Sequence, residues 1–236
     1  MCWSGEASAT LAAVGIATTA YAAYKKEPPE LYIPLAYFSL MEVLQAFTYS
    51  VIDSCGLPAN QIATYLGWLH ITFQPFFVNY LCMYFIPKHV RAKIEIPVYV
   101  LCFIGAIIML VQVYPFAWSP TCTPGTYMCG AQMCSVHGNW HIAWQVPYNT
   151  IWIQLMPYLW TGILLPFFYG SWRMALYATL TGPVLSFFLT NNNNERPAVW
   201  CLLSIGILLV VLKTPLRKWL HVRKWLWWPL LKPDAA

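Results

Sequence analysis

Long apolar stretches separated by short polar turns dominate the pattern of this chain. An α-helix needs about 20 residues to cross the hydrocarbon core of a bilayer, and seven stretches approach that length. They are 8–24, 31–52, 61–86, 94–114, 151–169, 172–190 and 198–212. Backbone polar groups in lipid must be paired within their own segment, so such runs indicate helices. The pattern therefore predicts an all-α, polytopic membrane bundle of seven transmembrane helices.

Composition supports a membrane environment. Hydrophobic residues make up 59% of the chain and charged residues only 9%, whereas soluble domains carry about 25% charged residues. The 13 tryptophans suit the membrane–water interface, where an indole has one apolar face and one N–H donor. The net charge of +5 would suggest a nucleic-acid partner in a soluble protein. Here the basic residues flank the apolar stretches, so the bilayer is the expected partner and nucleic acid is not.

The lysines and arginines predict the orientation. With seven spans, all 13 of them except Arg196 fall beside the ends of spans one, three, five and seven. Loops rich in lysine and arginine stay in the cytoplasm. We therefore expect the N-terminus outside and the C-terminus inside, in the plasma (inner) membrane. One span more or fewer would scatter these charges over both faces.

The chain divides into a seven-helix transmembrane domain, 1–213, and a cytoplasmic tail, 214–236. The tail mixes basic and aromatic residues, namely Arg217, Lys218, Arg223, Lys224, Trp219, Trp225, Trp227 and Trp228. This mixture predicts an interfacial amphipathic helix on the cytoplasmic leaflet. The tail would either recognise anionic lipids or serve as a plain topological anchor.

Polar residues inside predicted spans are costly in lipid and mark candidate sites. Glu42 and Gln45 share one face of the second span, and His70 and Gln74 share one face of the third. Counted from the midpoints of these antiparallel spans, Glu42 falls level with Gln74, and Gln45 level with His70. Asn79 follows on the third span. The four side chains are therefore predicted to converge in the outer half of the bundle, beside a kink at Pro75.

This cluster has two interpretations. As a functional site it would bind a ligand, a metal or a proton, with Glu42 and His70 as catalytic acid/base groups. Gln45, Gln74 and Asn79 would contact the ligand, and His70 could also hold a metal. As a structural feature, the same groups would join two helices by hydrogen bonds.

The long loop 115–150 lies outside in this topology and is rich in cysteine and histidine. Cys129, Cys134, His137 and His141 follow the spacing C-x4-C-x2-H-x3-H, from which a zinc-like divalent metal site could be built. Extracytoplasmic cysteines usually pair as disulfides instead, and disulfides are the favoured interpretation. The candidates are Cys2, Cys55, Cys122, Cys129 and Cys134, which allow two disulfides and one spare thiol.

The two loop histidines could bind metal without the thiols. His137 and His141 would share a face if this segment were helical. The aromatic segment 137–149 could fold over the outer end of the bundle as a lid. Asp53, at the outer end of the second span, is close enough to join a site there.

Several runs resemble an uncharacterised family of bacterial and algal multi-pass membrane proteins. They are Met1-Cys2-Trp3-Ser4, Leu40-Met41-Glu42 with Leu44-Gln45, His70 with Phe73-Gln74-Pro75-Phe76-Phe77, and Gly138-Asn139-Trp140-His141. The resemblance extends over the whole chain. It implies seven spans and no particular reaction.

Three functions follow from these observations. The first is a membrane-embedded binding or catalytic protein whose outward pocket of Glu42, Gln45, His70 and Gln74 is covered by the 115–150 loop. As an enzyme it would use metal-assisted chemistry on a lipophilic substrate. The second is a proton-coupled transporter with Glu42 and His70 as a relay. The third is a non-catalytic subunit of a larger membrane complex, with other membrane proteins as partners.

Overall fold

The computed structural model describes residues 3–151 and 156–230, and most of these residues are helical. Seven long helical stretches coincide with the seven predicted ones. They are α1 (Gly5–Tyr24), α2 (Pro29–Tyr49), α3 (Pro58–Tyr84), α4 (Lys88–Gln112), α5 (Met156–Phe168), α6 (172–189) and α7 (Arg196–Lys213). A short helix, α8 (Leu216–Leu220), follows. The α-helical class is therefore confirmed.

Three of these helices are long and apolar enough to cross a membrane. They are Pro29–Tyr49, Lys88–Gln112 and Arg196–Lys213, with mean hydropathies of 1.2, 2.5 and 1.8. Met156–Phe168 is apolar but shorter. Exposed large apolar side chains occur along α4, among them Val100, Phe103 and Ile107. Contiguous exposed apolar side chains are typical of surfaces that contact lipid or another protein.

Two helices contain a π-helical turn, at Leu159–Leu164 in α5 and Leu180–Val184 in α6. A proline accompanies each turn: Pro166 just after the first and Pro183 within the second. Because proline has no N–H, it removes one bond from the regular helical ladder. Single π-turns of this kind are frequent at functional sites.

One end of the bundle carries the basic residues. There Arg217 binds Glu27 at 2.7 Å and the hydroxyl of Tyr84 at 2.6 Å. Arg91 pairs with Glu30 at the start of α2. These contacts join the α1–α2 turn, the α3–α4 turn and the C-terminal segment. We call this the basic end.

The predicted amphipathic helix of the C-terminal tail is wrong for the part that is described. Only Leu216–Leu220 is α-helical; residues 221–227 have no regular structure, and a short 3-10 helix, Trp228–Leu230, follows. Three tryptophan indoles donate to carbonyls at the end of α5: Trp225 and Trp227 to Phe168 at 3.1 and 2.8 Å, and Trp228 to Tyr169 at 2.9 Å. The final carbonyls of a helix have no intrahelical donor, and satisfying them outweighs the helical periodicity. Residues 231–236, with Lys232, lie outside the described residues.

The opposite end is covered by a β-hairpin from the 115–150 loop, which we call the hairpin end. Strands β1 (Cys134–His137) and β2 (Ile142–Gln145) pair antiparallel, with His137 opposite Ile142. Asn60 at the start of α3 bonds both backbone groups of Ser135 at 2.9 Å. Part of the segment 137–149 therefore packs over one end of the bundle, and because it forms strands, His137 and His141 do not share a helix face.

Two disulfides fasten the hairpin end, as the cysteine count predicts. Cys55 in the α2–α3 turn bonds Cys134 on β1, and Cys122 bonds Cys129 within the loop. Cys2, the fifth candidate, lies outside the described residues. The first bond joins two distant parts of the chain, whereas the second closes a small local ring.

Gly15 allows α1 to lie close against α2. A Cβ atom at this position would fall 2.0 Å from the Ser39 hydroxyl and 2.9 Å from its Cβ. We expect Gly15→Val to lower the free energy of unfolding by about 1–3 kcal/mol through overpacking. Thermal unfolding in detergent would measure the change, with Gly206→Val as control, since Gly206 faces open space. Adding Ser39→Gly should restore part of the loss, and a loss unaffected by Ser39→Gly would contradict the contact.

Candidate functional site

The predicted depth of the polar residues on α2 and α3 is wrong by more than one helical turn. Tyr37, not Gln45, lies beside His70: the rings stack at 3.9 Å, and the Tyr37 hydroxyl donates to the His70 carbonyl at 2.5 Å. The apolar runs misplace the helix ends, because α2 and α3 both begin and end earlier than those runs. Their midpoints lie near Ser39 and Ile71, which shifts the register of the pair. Glu42, Gln45, His70 and Gln74 consequently separate into three surroundings.

Glu42 is completely buried between helices. Its two carboxyl oxygens have no hydrogen-bond partner among the described residues. Ser8 on α1 is the polar side chain that interacts with it, and the Ser8 hydroxyl itself accepts the Trp3 indole N–H at 2.8 Å. A buried acid with so few partners is unusual, since buried polar groups are normally hydrogen-bonded.

Gln45, one turn after Glu42, connects α2 to the hairpin end through His141. The His141 Nε2 lies 2.7 Å from the Gln45 amide oxygen, and its Nδ1 lies 2.6 Å from the Tyr49 hydroxyl. Burial lowers the pKa of His141 to about 3, so the ring is neutral at physiological pH. Because an amide oxygen only accepts, Nε2–H donates to Gln45 and Nδ1 accepts from Tyr49.

Glu195, which the sequence interpretation passed over, holds the backbone that carries His141. Its buried carboxylate accepts the N–H of Asn139 at 3.2 Å, of Trp140 at 2.5 Å and of His141, and also the Thr190 hydroxyl. Successive N–H groups around one anion form a strong charge-assisted cluster. The signal that could have found it is an acidic side chain directly before a long apolar run, next to the polar residues 191–194.

Asp53 joins the hairpin end, as predicted, through His137. Its carboxylate accepts the His137 backbone N–H at 2.8 Å and contacts the His137 ring. Partial burial opposes the charged form of Asp53, but the bonds from His137 outweigh it and hold the pKa of Asp53 below its usual value. The pair is exposed and lies apart from Glu42, so Asp53 fixes the hairpin from outside.

The zinc-like interpretation of the loop is not supported by the arrangement of its residues. Cys129 and Cys134 are both in disulfides, and a disulfide sulfur is no thiolate ligand. His137 and His141 lie on a hairpin and have separate partners, Asp53 and Gln45. Within residues 3–151 and 156–230, no group of three or more His, Cys, Asp or Glu side chains could hold a metal ion.

Gln74 lines a cavity of about 280 Å³, and Glu42 is not among the residues of its wall. The cavity is lined by Ile71, Gln74, Tyr127, Met128, Tyr158, Leu159, Pro183, Ser186, Pro197 and Trp200. The amide nitrogen of Gln74 and the hydroxyl of Tyr158 are buried and unpartnered among the described residues. The cavity also adjoins both π-turns, at Leu159 and at Pro183. It is thus a mostly apolar space whose lining residues include two with a buried, unpartnered hydrogen-bonding atom.

Asn79 does not contact this cavity, although it was a candidate ligand-binding residue. Its side-chain amide donates to the carbonyls of Pro75 at 2.8 Å and Thr161 at 2.7 Å. The second bond reaches a carbonyl of the π-turn in α5. Asn79 therefore joins α3 to α5 and stabilises the wall behind the cavity.

Comparison with known proteins gives a family and no activity. No curated protein and no solved structure matches the chain significantly. A family model does match residues 6–221, a range that includes every element from α2 to α8 and all the polar sites described above. The opening Met-Cys-Trp-Ser lies outside that range, so the resemblance based on it stays a prediction. The chain belongs to a family of unknown function, DUF5765.

Proposed function

We propose that this chain is a seven-span integral membrane protein that binds a small lipophilic molecule in the cavity at Gln74 and Tyr158. Three helices with sufficient length and hydropathy support insertion into a membrane. The other four helical stretches lie before and between these three along the chain. The exposed apolar side chains of α4 and α6, such as Phe103 and Phe188, would then face lipid.

The two ends of the bundle support an orientation. Disulfides lie at the hairpin end, and disulfides persist in oxidising compartments. Lysines and arginines gather at the basic end, which the positive-inside rule places in the cytoplasm. Both arguments favour the plasma membrane with the N-terminus and hairpin outside. Anionic lipids would be the neighbours of the basic end.

The observation that carries the binding proposal is the pair of unpartnered groups in the cavity wall. Leaving a buried donor without a partner costs about 1–3 kcal/mol. Gln74 and Tyr158 both carry such a donor, and both residues line the same cavity. A ligand with an apolar body and one hydroxyl or carbonyl would satisfy the Gln74 N–H and the Tyr158 O–H together. Small-molecule sites commonly combine apolar walls with a few such polar groups.

Photolabelling tests this proposal with a probe of the expected chemistry. The diazirine-bearing alcohol 3-azioctanol would be irradiated with the purified full-length protein in lipid nanodiscs, and adducts mapped by peptide mass spectrometry. We expect adducts near Tyr158, Met128 and Trp200 that unlabelled octanol displaces. Tyr158→Phe and Gln74→Leu should each weaken competition about 3- to 10-fold, the value of one hydrogen bond.

Ser186→Ala is the matched control for these variants. Ser186 also lines the cavity, but its hydroxyl already donates to Pro183 at 2.7 Å, so its loss should leave labelling unchanged. Tyr158→Phe should also raise the unfolding temperature of the ligand-free protein, because it removes an unsatisfied buried hydroxyl. Adducts scattered over lipid-facing residues, or equal effects of all three variants, would contradict the proposed site.

A further inference from the structure

Two fully buried glutamates in this chain have opposite surroundings. Glu195 receives three backbone N–H bonds and one hydroxyl bond at the hairpin end. Glu42 receives none of these, and both of its oxygens are unpartnered among the described residues. Both residues have no exposed surface, so burial alone does not distinguish them. The N–H and hydroxyl donors that stabilise a charged carboxylate at Glu195 have no counterparts at Glu42 among the described residues.

The titratable groups around Glu42 do not supply a positive charge. Tyr49 from α2 and Cys201 from α7 interact with it electrostatically, and neither is ever a cation. His141 and Glu195 approach from the hairpin end, where burial keeps His141 neutral by lowering its pKa to about 3. On α3, the ring of His70 is stacked on Tyr37.

A carboxylate in such surroundings takes up a proton. Transferring an isolated carboxylate from water into an apolar interior costs far more than protonating it at neutral pH, so the group neutralises. A protonated carboxyl can use its O–H as a donor and its carbonyl oxygen as an acceptor, for which Ser8 is in reach. The Gln45 amide nitrogen, also unpartnered, lies one turn away on the same helix face.

Several polar side chains lie between Glu42 and the hairpin end: Ser8 with the Trp3 indole, and then Gln45, His141 and the half-buried Tyr49. In the other direction the buried Ser39 hydroxyl is already used, because it donates to the Leu35 carbonyl at 2.7 Å. Beyond it α2 presents Phe38, Leu35 and Leu31, which belong to the large apolar core. A proton on Glu42 therefore has a polar route to one face of the bundle and an apolar barrier to the other.

We propose that Glu42 is a proton-binding site that carries its proton in the resting protein and exchanges it with the hairpin face through the Ser8, Gln45 and His141 cluster. The site is separate from the cavity at Gln74 and does not depend on the ligand proposed there. It would let the protein respond to the acidity of the compartment that the hairpin faces.

Dicyclohexylcarbodiimide tests the proposal, because it reacts with protonated carboxyl groups in apolar surroundings. The acid proton moves to a carbodiimide nitrogen, the carboxyl oxygen bonds to the central carbon, and an acyl shift gives a stable N-acylurea with no leaving group. The full-length protein would be reconstituted in liposomes with the pH set separately on each face. Peptide mass spectrometry would then quantify the adduct on each glutamate.

We expect an adduct on Glu42 that falls about tenfold when the hairpin face is made strongly alkaline and does not change with the pH of the basic face. Glu195 serves as an internal control of equal burial and should stay unlabelled. Glu42→Gln should abolish the adduct and leave the unfolding temperature unchanged or higher. Failure to label Glu42 at acidic pH, equal labelling of Glu195, or dependence on the basic face would each overturn the proposal.

Discussion

Replacing Glu195 by glutamine should be among the most destabilising conservative changes in this chain. An amide keeps the shape of the side chain but places N–H donors against the N–H groups of Asn139, Trp140 and His141. Bonds to a charged acceptor are worth about 1.5–3 kcal/mol each, and several share this carboxylate. We expect a loss of about 3 kcal/mol, or about 10 °C in unfolding temperature.

Asp53→Asn is the matched control, because Asp53 also holds the hairpin through a backbone N–H and a side chain. Its side chain is 52% exposed and that of His137 is 44% exposed, so solvent screens the pair, and such pairs contribute about 0–1 kcal/mol. Thermal unfolding in one detergent would compare the two variants. Hydrogen exchange should show faster exchange at residues 139–141 for Glu195→Gln alone. Similar losses for both variants would show that burial of Glu195 is not decisive.

Removing the Cys55–Cys134 disulfide should destabilise the chain more than removing Cys122–Cys129. The two bonds span 79 and 7 residues, and a longer closed loop restricts the unfolded chain more strongly. In the chain-entropy model the costs are about 4 and about 2 kcal/mol respectively. The first bond also anchors β1 to the α2–α3 turn, so its loss should loosen the hairpin.

Paired serine substitutions would check this ranking. Cys55→Ser with Cys134→Ser would be compared with Cys122→Ser with Cys129→Ser by thermal unfolding under oxidising conditions. A reducing agent should lower the unfolding temperature of the second variant, which keeps Cys55–Cys134, by more than that of the first, which keeps only the small ring of Cys122–Cys129. Equal losses in the two double variants would contradict the dependence on loop length.

The helices could be predicted from the sequence because each one repeats the same local signal over many residues. Apolar runs of spanning length, with basic residues beside alternate ends, gave seven helical stretches that the structure reproduces. The two disulfides followed from cysteine number and from the side on which those cysteines fall. Residue type and position along the chain were therefore enough to predict the helices and the number of disulfides.

The candidate site was harder to predict because it depends on how elements meet. An error of a few residues in the bounds of α2 and α3 moved His70 away from Gln45 and brought it to Tyr37. Glu195 gained its role from the backbone of a distant loop, which no spacing reveals. His141 was recognised, but as a metal ligand, because only the packed structure shows that Gln45 and Tyr49 occupy both of its ring nitrogens.

The segment 138–141 also has a consequence for how the protein is made. The Trp140 carbonyl accepts the Trp3 backbone N–H at 3.2 Å, and the N–H groups of residues 139–141 donate to the Glu195 carboxylate. Trp3 and Glu195 lie on opposite sides of this segment in the chain. The Cys55–Cys134 disulfide and the bonds from Asn60 can hold strand β1 as soon as that strand has been made. The backbone of residues 139–141, by contrast, gains its buried carboxylate only when residue 195 has followed, after six of the seven helical stretches. During synthesis this part of the hairpin end therefore stays without its buried carboxylate until most of the chain has been made.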